Sequence, residues 1–255
     1  VCLAAVALGA HPRYALVVAA NRDEFHDRAA RAAHWWDEGW YGGRDLAAGG
    51  MWFGVRRDGR WALVTNVREP GRYDAAARSR GELVPRVLGA KSIAEGVAAL
   101  KRDERLYNGY NVVAGDLVSA YWTSNREGPP RRLAQGVAAL SNAALGTPWP
   151  KVAALRSSID RWAGAGDDDV EPIFAALADR AVAADAHLPA TGVPLDWERR
   201  LSAAFIVGDR YGTRCSSVLA IDHDGGARFV ERTWGPEGVP AGVVDERFEL
   251  ARKRL

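Results

Sequence analysis

The sequence has 255 residues, 26% of them charged and 48% in the hydrophobic set, a globular balance that excludes wholesale disorder and can fill a sizeable core. Thirty-four Lys and Arg stand against 32 Asp and Glu, and a net charge of +2 is too small to drive binding to nucleic acid or to a membrane surface. Only four of those cations are Lys, and the Arg and Ala excess reads as codon usage of a GC-rich genome, not as a phosphate-binding surface.

In chain order, the apolar runs Cys2 to Leu8 and Tyr14 to Ala20 flank Gly9–Arg13 and predict a β-hairpin buried on both faces. The polar tetrad Asn21-Arg22-Asp23-Glu24 follows directly. His34 to Gly50 is rich in Trp and Gly, with Gly42-Gly43 and Gly49-Gly50 as turn signals. Met51 to Val55 and Trp61 to Val67 flank Asp58-Gly59, a strong hairpin turn. Ser79 to Leu100 takes helical spacing, Tyr110 to Gly115 and Leu117 to Thr123 form a second antiparallel pair, and Leu133 to Ser141 returns to the core. From Trp149 to Ala186 the pattern is helical, broken at Gly164–Asp169. Three strands close the chain: Ala203 to Gly208, Cys215 to Asp222 and Arg228 to Arg232. This order lacks βαβ alternation and predicts mostly antiparallel sheets with helices on the outer faces, an α+β layered sandwich, as a single domain over residues 1–255.

No stretch approaches the ~20 apolar residues that span a bilayer, and the apolar start lacks the basic lead of a signal peptide. Cys2 and Cys215 offer neither a disulfide framework nor metal-ligand spacing. The expectation is a cytoplasmic protein with no membrane span, no nucleic-acid partner, no metal and no cofactor; its oligomeric state is not legible.

The lone methionine is Met51, so Val1 is either an alternative start codon written literally or the chain begins inside a longer one. If residue 1 is trimmed, Cys2 carries a thiol and a free α-amine together. With reference pKa values of about 8.5 and about 7.7–8.0, these form a nucleophile with its own base. The other reading of Cys2 is a small hydrophobe on a buried strand. Arg22, Asp23, Asn66, Asn142 and Arg214 lie at the ends of core strands, either as turn chemistry or as the orienting, oxyanion and cationic groups of such a site. Cys215 reads as a buried inert thiol.

Several ordered blocks resemble one family. They are Asn21-Arg22-Asp23-Glu24, Gly42-Gly43-Arg44-Asp45-Leu46, Gly49-Gly50-Met51-Trp52-Phe53-Gly54 and Thr65-Asn66-Val67-Arg68, then Ser79-Arg80-Gly81, Tyr107-Asn108-Gly109-Tyr110-Asn111, Leu140-Ser141-Asn142, Thr147-Pro148-Trp149-Pro150-Lys151 and Tyr211-Gly212-Thr213-Arg214. The chain is similar to the NRDE proteins, also called transport-and-Golgi-organisation homologues, which are distantly similar to bile-salt hydrolases and penicillin acylases. The resemblance implies the four-layer αββα sandwich of N-terminal-nucleophile hydrolases. It also implies Cys2 as nucleophile, its α-amine as base and Asp23 orienting that amine. Asn66 and Asn142 would form the oxyanion hole, with Arg22 or Arg214 favouring the thiolate. One departure is that those acylases separate the Arg and Asp by two residues, whereas Arg22 and Asp23 are adjacent.

Two functions follow. One is a thiol amidohydrolase or acyltransferase for a small-molecule amide, thioester or other acyl substrate. The other is a non-catalytic binder of haem or another hydrophobic ligand, with Trp35, Trp36 and Trp40 lining a flat pocket or simply packing in the core.

Overall fold

A computed structural model describes residues 3–251. Strand β1 (Leu3–Leu8) pairs antiparallel with β2 (Tyr14–Phe25), Leu3 opposite Asn21 and Leu8 opposite Leu16. Alternation along β1 explains why both of its faces are apolar. Ala4, Val6 and Leu8 enter the core between two sheets, while Leu3, Ala5 and Ala7 face a helical layer.

Among the described residues, the strands form two antiparallel sheets. The first runs β10 (Gly136–Leu140), β1, β2, β11 (Tyr211–Asp222), β12 (Gly226–Trp234) and β13 (Pro240–Glu249). The second runs β3 (Ala30–Trp35), β4 (Trp40–Asp45), β5 (Phe53–Arg56), β6 (Trp61–Asn66), β7 (Tyr110–Gly115), β8 (Ala120–Ser124) and β9 (Arg131–Arg132). Leu16, Val18 and Leu219 of the first sheet meet Phe53, Trp61, Leu63 and Trp122 of the second in the central core.

Each outer face carries helices. On the first sheet, α3 (Pro150–Ala165) and α4 (Glu171–Leu177) bury Val152, Leu155, Ile159, Ile173 and Phe174. On the second, α1 (Leu83–Gly89) and α2 (Ile93–Arg102) bury Leu83, Val87, Leu88, Val97 and Leu100. Helix, sheet, sheet, helix is the expected αββα order. A further short helix, α5 (Leu195–Leu201), precedes β11.

The structure departs from the sequence pattern in four places. The tetrad does not follow β2 but continues it to Phe25, because β11 supplies partners along the whole length: Asn21 faces Ser216, Arg22 faces Cys215 and Asp23 faces Thr213. A bulge at Arg214 shifts the register there. The helical run from Ser79 splits into α1 and α2, since Ser92 Oγ caps a new helix by accepting the Glu95 N–H at 3.2 Å.

Ala203 to Gly208 is no strand. Its buried apolar residues cross the ends of other elements, the Phe205 N–H donating to the Asp179 carbonyl at 2.8 Å and the Ile206 N–H to Thr213 Oγ1 at 2.9 Å. Strands β3, β4 and β13 carried no clean signal. The Trp- and Gly-rich stretch hid the first two, and β13 is a largely exposed edge strand with charges at four of its ten positions.

Two close approaches explain the glycine pairs. A Cβ on Gly43 would collide with the Trp52 indole, and one on Gly50 would lie 2.5 Å from the Gly81 backbone, whose carbonyl accepts the Met51 N–H at 2.9 Å.

Candidate active site

Alternation along β2 sends the members of the tetrad to opposite faces. Asn21 faces the helical layer and is fully buried, so each of its polar atoms needs a partner. Its Nδ2 donates to the carbonyls of Leu177 and Ala204, both at 2.8 Å, and its Oδ1 accepts from Ser216 Oγ at 2.7 Å. That is a structural clasp. Two residues on, Asp23 (5% exposed) accepts from Thr213 Oγ1 at 2.7 Å and lines a cleft of about 260 Å³.

The cleft's other walls come from the end of β6 and the loop after β10. Asn66 is exposed at the mouth. Asn142 bridges the two walls, its Nδ2 donating to the Asn66 carbonyl at 2.9 Å and its own carbonyl accepting the Arg68 N–H at 2.8 Å. Beneath it, Thr65 Oγ1 donates to the Ser141 carbonyl at 3.0 Å. An adjoining lobe of about 560 Å³ shares Asp23, Asn66, Tyr73, Arg80 and Asn108 with the cleft.

Of the six residues the sequence nominated, the structure thus brings Asp23, Asn66 and Asn142 together in one cleft. Cys2 lies outside the described residues. Its neighbour Leu3 pairs with Asn21, two residues before Asp23.

The two arginines are placed differently. Arg22 stacks 4.6 Å from the Trp52 ring, reaches Asp45 at 3.4 Å and Glu24 at 3.7 Å, and borders the adjoining lobe. The Arg214 guanidinium donates to the carbonyls of Phe25, His26 and Arg28 at 2.8, 3.1 and 3.0 Å, latching the connection from β2 to β3. Both also line a separate cavity of about 320 Å³ with Cys215 and Glu231. Cys215 is buried there, and desolvation followed by the Glu231 charge pushes its thiol far up, so it stays protonated.

Sequence reasoning passed over three groups at the cleft. Lys151, in the first turn of α3, is only 5% exposed and lines it. Arg68 forms a buried ion pair with Glu198 of α5 at 2.8 Å and stacks 4.8 Å from Trp149. Glu198 also accepts the Thr191 N–H at 2.8 Å, so this pair ties the segment containing Val193, another lining residue, to β6. Thr213 orients Asp23. Lys151, Arg68 and Thr213 all fall inside the blocks that carried the family resemblance, a usable signal; Glu198 had none.

The tryptophans of His34 to Gly50 pack against aromatic neighbours. Trp35 meets Tyr41 and Phe248 edge-on at 5.1 Å each, and Trp36 lies 6.0 Å from Trp40. No group of three or more His, Cys, Asp or Glu among the described residues could hold a metal ion, and no helix among them is long and apolar enough to cross a membrane.

Comparison with known proteins gives one family. The family model for Transport and Golgi organisation 2 matches residues 1–236. The Transport and Golgi organization protein 2 homolog of Bos taurus is 35% identical over 244 residues, covering 86% of this chain and 87% of that protein. The Homo sapiens homolog is 32% identical over 245 residues, with the same coverage. Among solved structures, the Caenorhabditis elegans ortholog of N-acylethanolamine-hydrolyzing acid amidase superposes with a TM-score of 0.51 at 11% identity, over 86% of this chain and 92% of that one. This likeness shows the fold, the αββα sandwich of the N-terminal-nucleophile hydrolases.

Proposed function

Since this chain belongs to the Transport and Golgi organisation 2 family and has the fold of N-terminal-nucleophile hydrolases, we propose that it is a cysteine amidohydrolase or acyltransferase working through an acyl-enzyme on Cys2. One observation supports this above the rest. Asp23, Asn66 and Asn142 converge on a cleft beside the start of β1, whose Leu3 directly follows Cys2 in the chain.

In the proposed reaction the Cys2 α-amine takes the thiol proton, and the sulfur attacks the carbonyl carbon of an amide or thioester. Asp23, its Oδ1 fixed by the Thr213 hydroxyl, orients the resulting ammonium. The carbonyl oxygen becomes an oxyanion that the Asn66 and Asn142 side-chain amides stabilise; Asn142 spends one N–H on the Asn66 carbonyl and keeps its other for the substrate. The ammonium then returns the proton to the departing amine or thiol, leaving a thioester on Cys2. Water, or an acceptor amine, resolves it, with the amine again serving as base. Arg22 and Arg214 add positive potential from the adjoining lobe and from the cavity behind it.

Intact-mass measurement of the mature protein, followed by treatment with an acyl-transferring electrophile such as a β-lactone, tests the reading. The expected result is absence of residue 1 and a single adduct on Cys2, lost in Cys2→Ala and retained in Cys215→Ser. A retained Val1, or an unmodified Cys2, would falsify it.

A further inference from the structure

We infer that the cavity of about 320 Å³ beside Cys215 and Glu231 binds a small oxyanion, a carboxylate or phosphoryl group held by Arg31 and Arg214. Among the described residues it shares no lining side chain with the cleft of Asp23, Asn66 and Asn142. No covalent step is involved.

The bulge at Arg214 builds the site. In a regular strand Arg214 and Cys215 would face opposite sides, but with the register shifted both line the cavity, and Arg22 of β2 stands opposite Cys215. Arg214 donates to its three carbonyls through Nη1 alone, so Nε and Nη2 make no hydrogen bond among the described residues. Arg31 is exposed at the rim and forms no ion pair among them. Arg22 borders the cavity from its stack on Trp52, while its carboxylate neighbours Asp45 and Glu24 line the lobe instead.

Three guanidiniums therefore meet one carboxyl, that of Glu231, among the described lining residues. Glu231 is fully buried, and desolvation pushes its carboxyl toward the neutral form. His26, also on the lining, has its pKa lowered by burial and then by the Arg214 charge, so the ring is neutral at pH 7. Arg214 has its own pKa lowered by burial and then by Arg22, the mark of cations crowded together without a counter-charge. A bound oxyanion relieves that repulsion and gives the idle face of a guanidinium the fork geometry it favours. Trp52 and Trp234 wall the cavity, the Trp234 indole fixed by its N–H bond to Ser216 Oγ at 3.2 Å. A volume near the lower end of the roughly 300–1,000 Å³ of ligand pockets suits a small aromatic acid or phosphate ester.

Isothermal titration calorimetry at pH 7 and low ionic strength, with benzoate and with phenyl phosphate, tests the site. One bound oxyanion per chain is expected; binding of benzoate alone assigns the site to carboxylates, of phenyl phosphate alone to phosphoryl groups, and of both to either. Arg31→Gln should weaken binding roughly tenfold and Arg31→Glu should abolish it. Arg214→Gln should weaken it at least as much, and the exposed, unpaired Arg31 keeps the test readable if that variant fails to fold. Ala241→Trp, which plugs the mouth, should also abolish binding, whereas Arg72→Gln at the rim of the cleft should leave the affinity unchanged. No heat from either probe at millimolar concentration overturns the inference. So does binding that ignores the Arg31 variants, or that Arg72→Gln weakens in their place, which moves the anion to the cleft.

Discussion

The Thr213 hydroxyl donates to Asp23 Oδ1 at 2.7 Å across the β2–β11 pair, and Thr213 Oγ1 itself accepts the Ile206 N–H at 2.9 Å. One side chain therefore fixes the carboxylate on one strand and the loop that replaces the strand expected at Ala203 to Gly208.

Thr213→Val keeps the shape of the side chain and deletes both bonds. A loss of about 1–3 kcal/mol in urea unfolding is expected, because a buried acceptor and a buried N–H lose their partner. Thr213→Ser should recover most of it, and the alkylation rate of Cys2 should fall in the valine variant only.

Arg68 and Glu198 are both shielded, with side chains 10% and 5% exposed. Arg68→Met strands the carboxylate and should cost roughly 3–5 kcal/mol, whereas the double change Arg68→Met with Glu198→Leu should cost much less. Hydrogen exchange at Thr191, whose N–H binds Glu198, should speed up in both.

Glu231 is fully buried between the sheets, accepting the Ala33 N–H at 2.8 Å and the Ser217 hydroxyl at 2.9 Å. Burial raises its carboxyl above the ordinary range, outweighing these donors. Between its unfolded and folded pKa values the native state binds more protons than the unfolded one, so stability falls as pH climbs through that window. Glu231→Gln removes this dependence. Its stability relative to the native protein should improve as pH rises from about 4, the ordinary carboxylate range, in urea titrations at successive pH values.

Gly43→Ala should destabilise by about 1–3 kcal/mol, since the new methyl must displace the Trp52 ring. Quenching of Trp52 fluorescence by the stacked Arg22 should change with it, read against Trp52→Phe.

Much of the architecture was legible because the central strands are apolar on both faces, which no amphipathic helix imitates. The Asp58-Gly59 turn was equally plain, Gly59 adopting φ +84°. Strand β13 escaped notice because an edge strand obeys no such burial rule. At the site, Asn66 and Asn142 stood out as polar residues ending apolar runs, and the cleft gathers both with Asp23. The adjacency of Arg22 and Asp23, a departure from the acylase pattern, has its consequence in the pleat, which turns the two side chains to opposite faces of β2 although both border the adjoining lobe. The Arg68–Glu198 pair spans 130 positions, and neither partner's local context announces the other.

The tetrad's first member has a consequence for natural variation. Because Asn21 clasps β2 to the ends of α4 and of the loop at Ala204, its loss loosens three elements at once, yet Asn21 does not line the cleft. Alleles at Asn21 should deplete the protein in cells, whereas on the proposed mechanism alleles at Asp23 should leave its abundance near normal and silence it, so two members of one tetrad can fail in genetically separable ways.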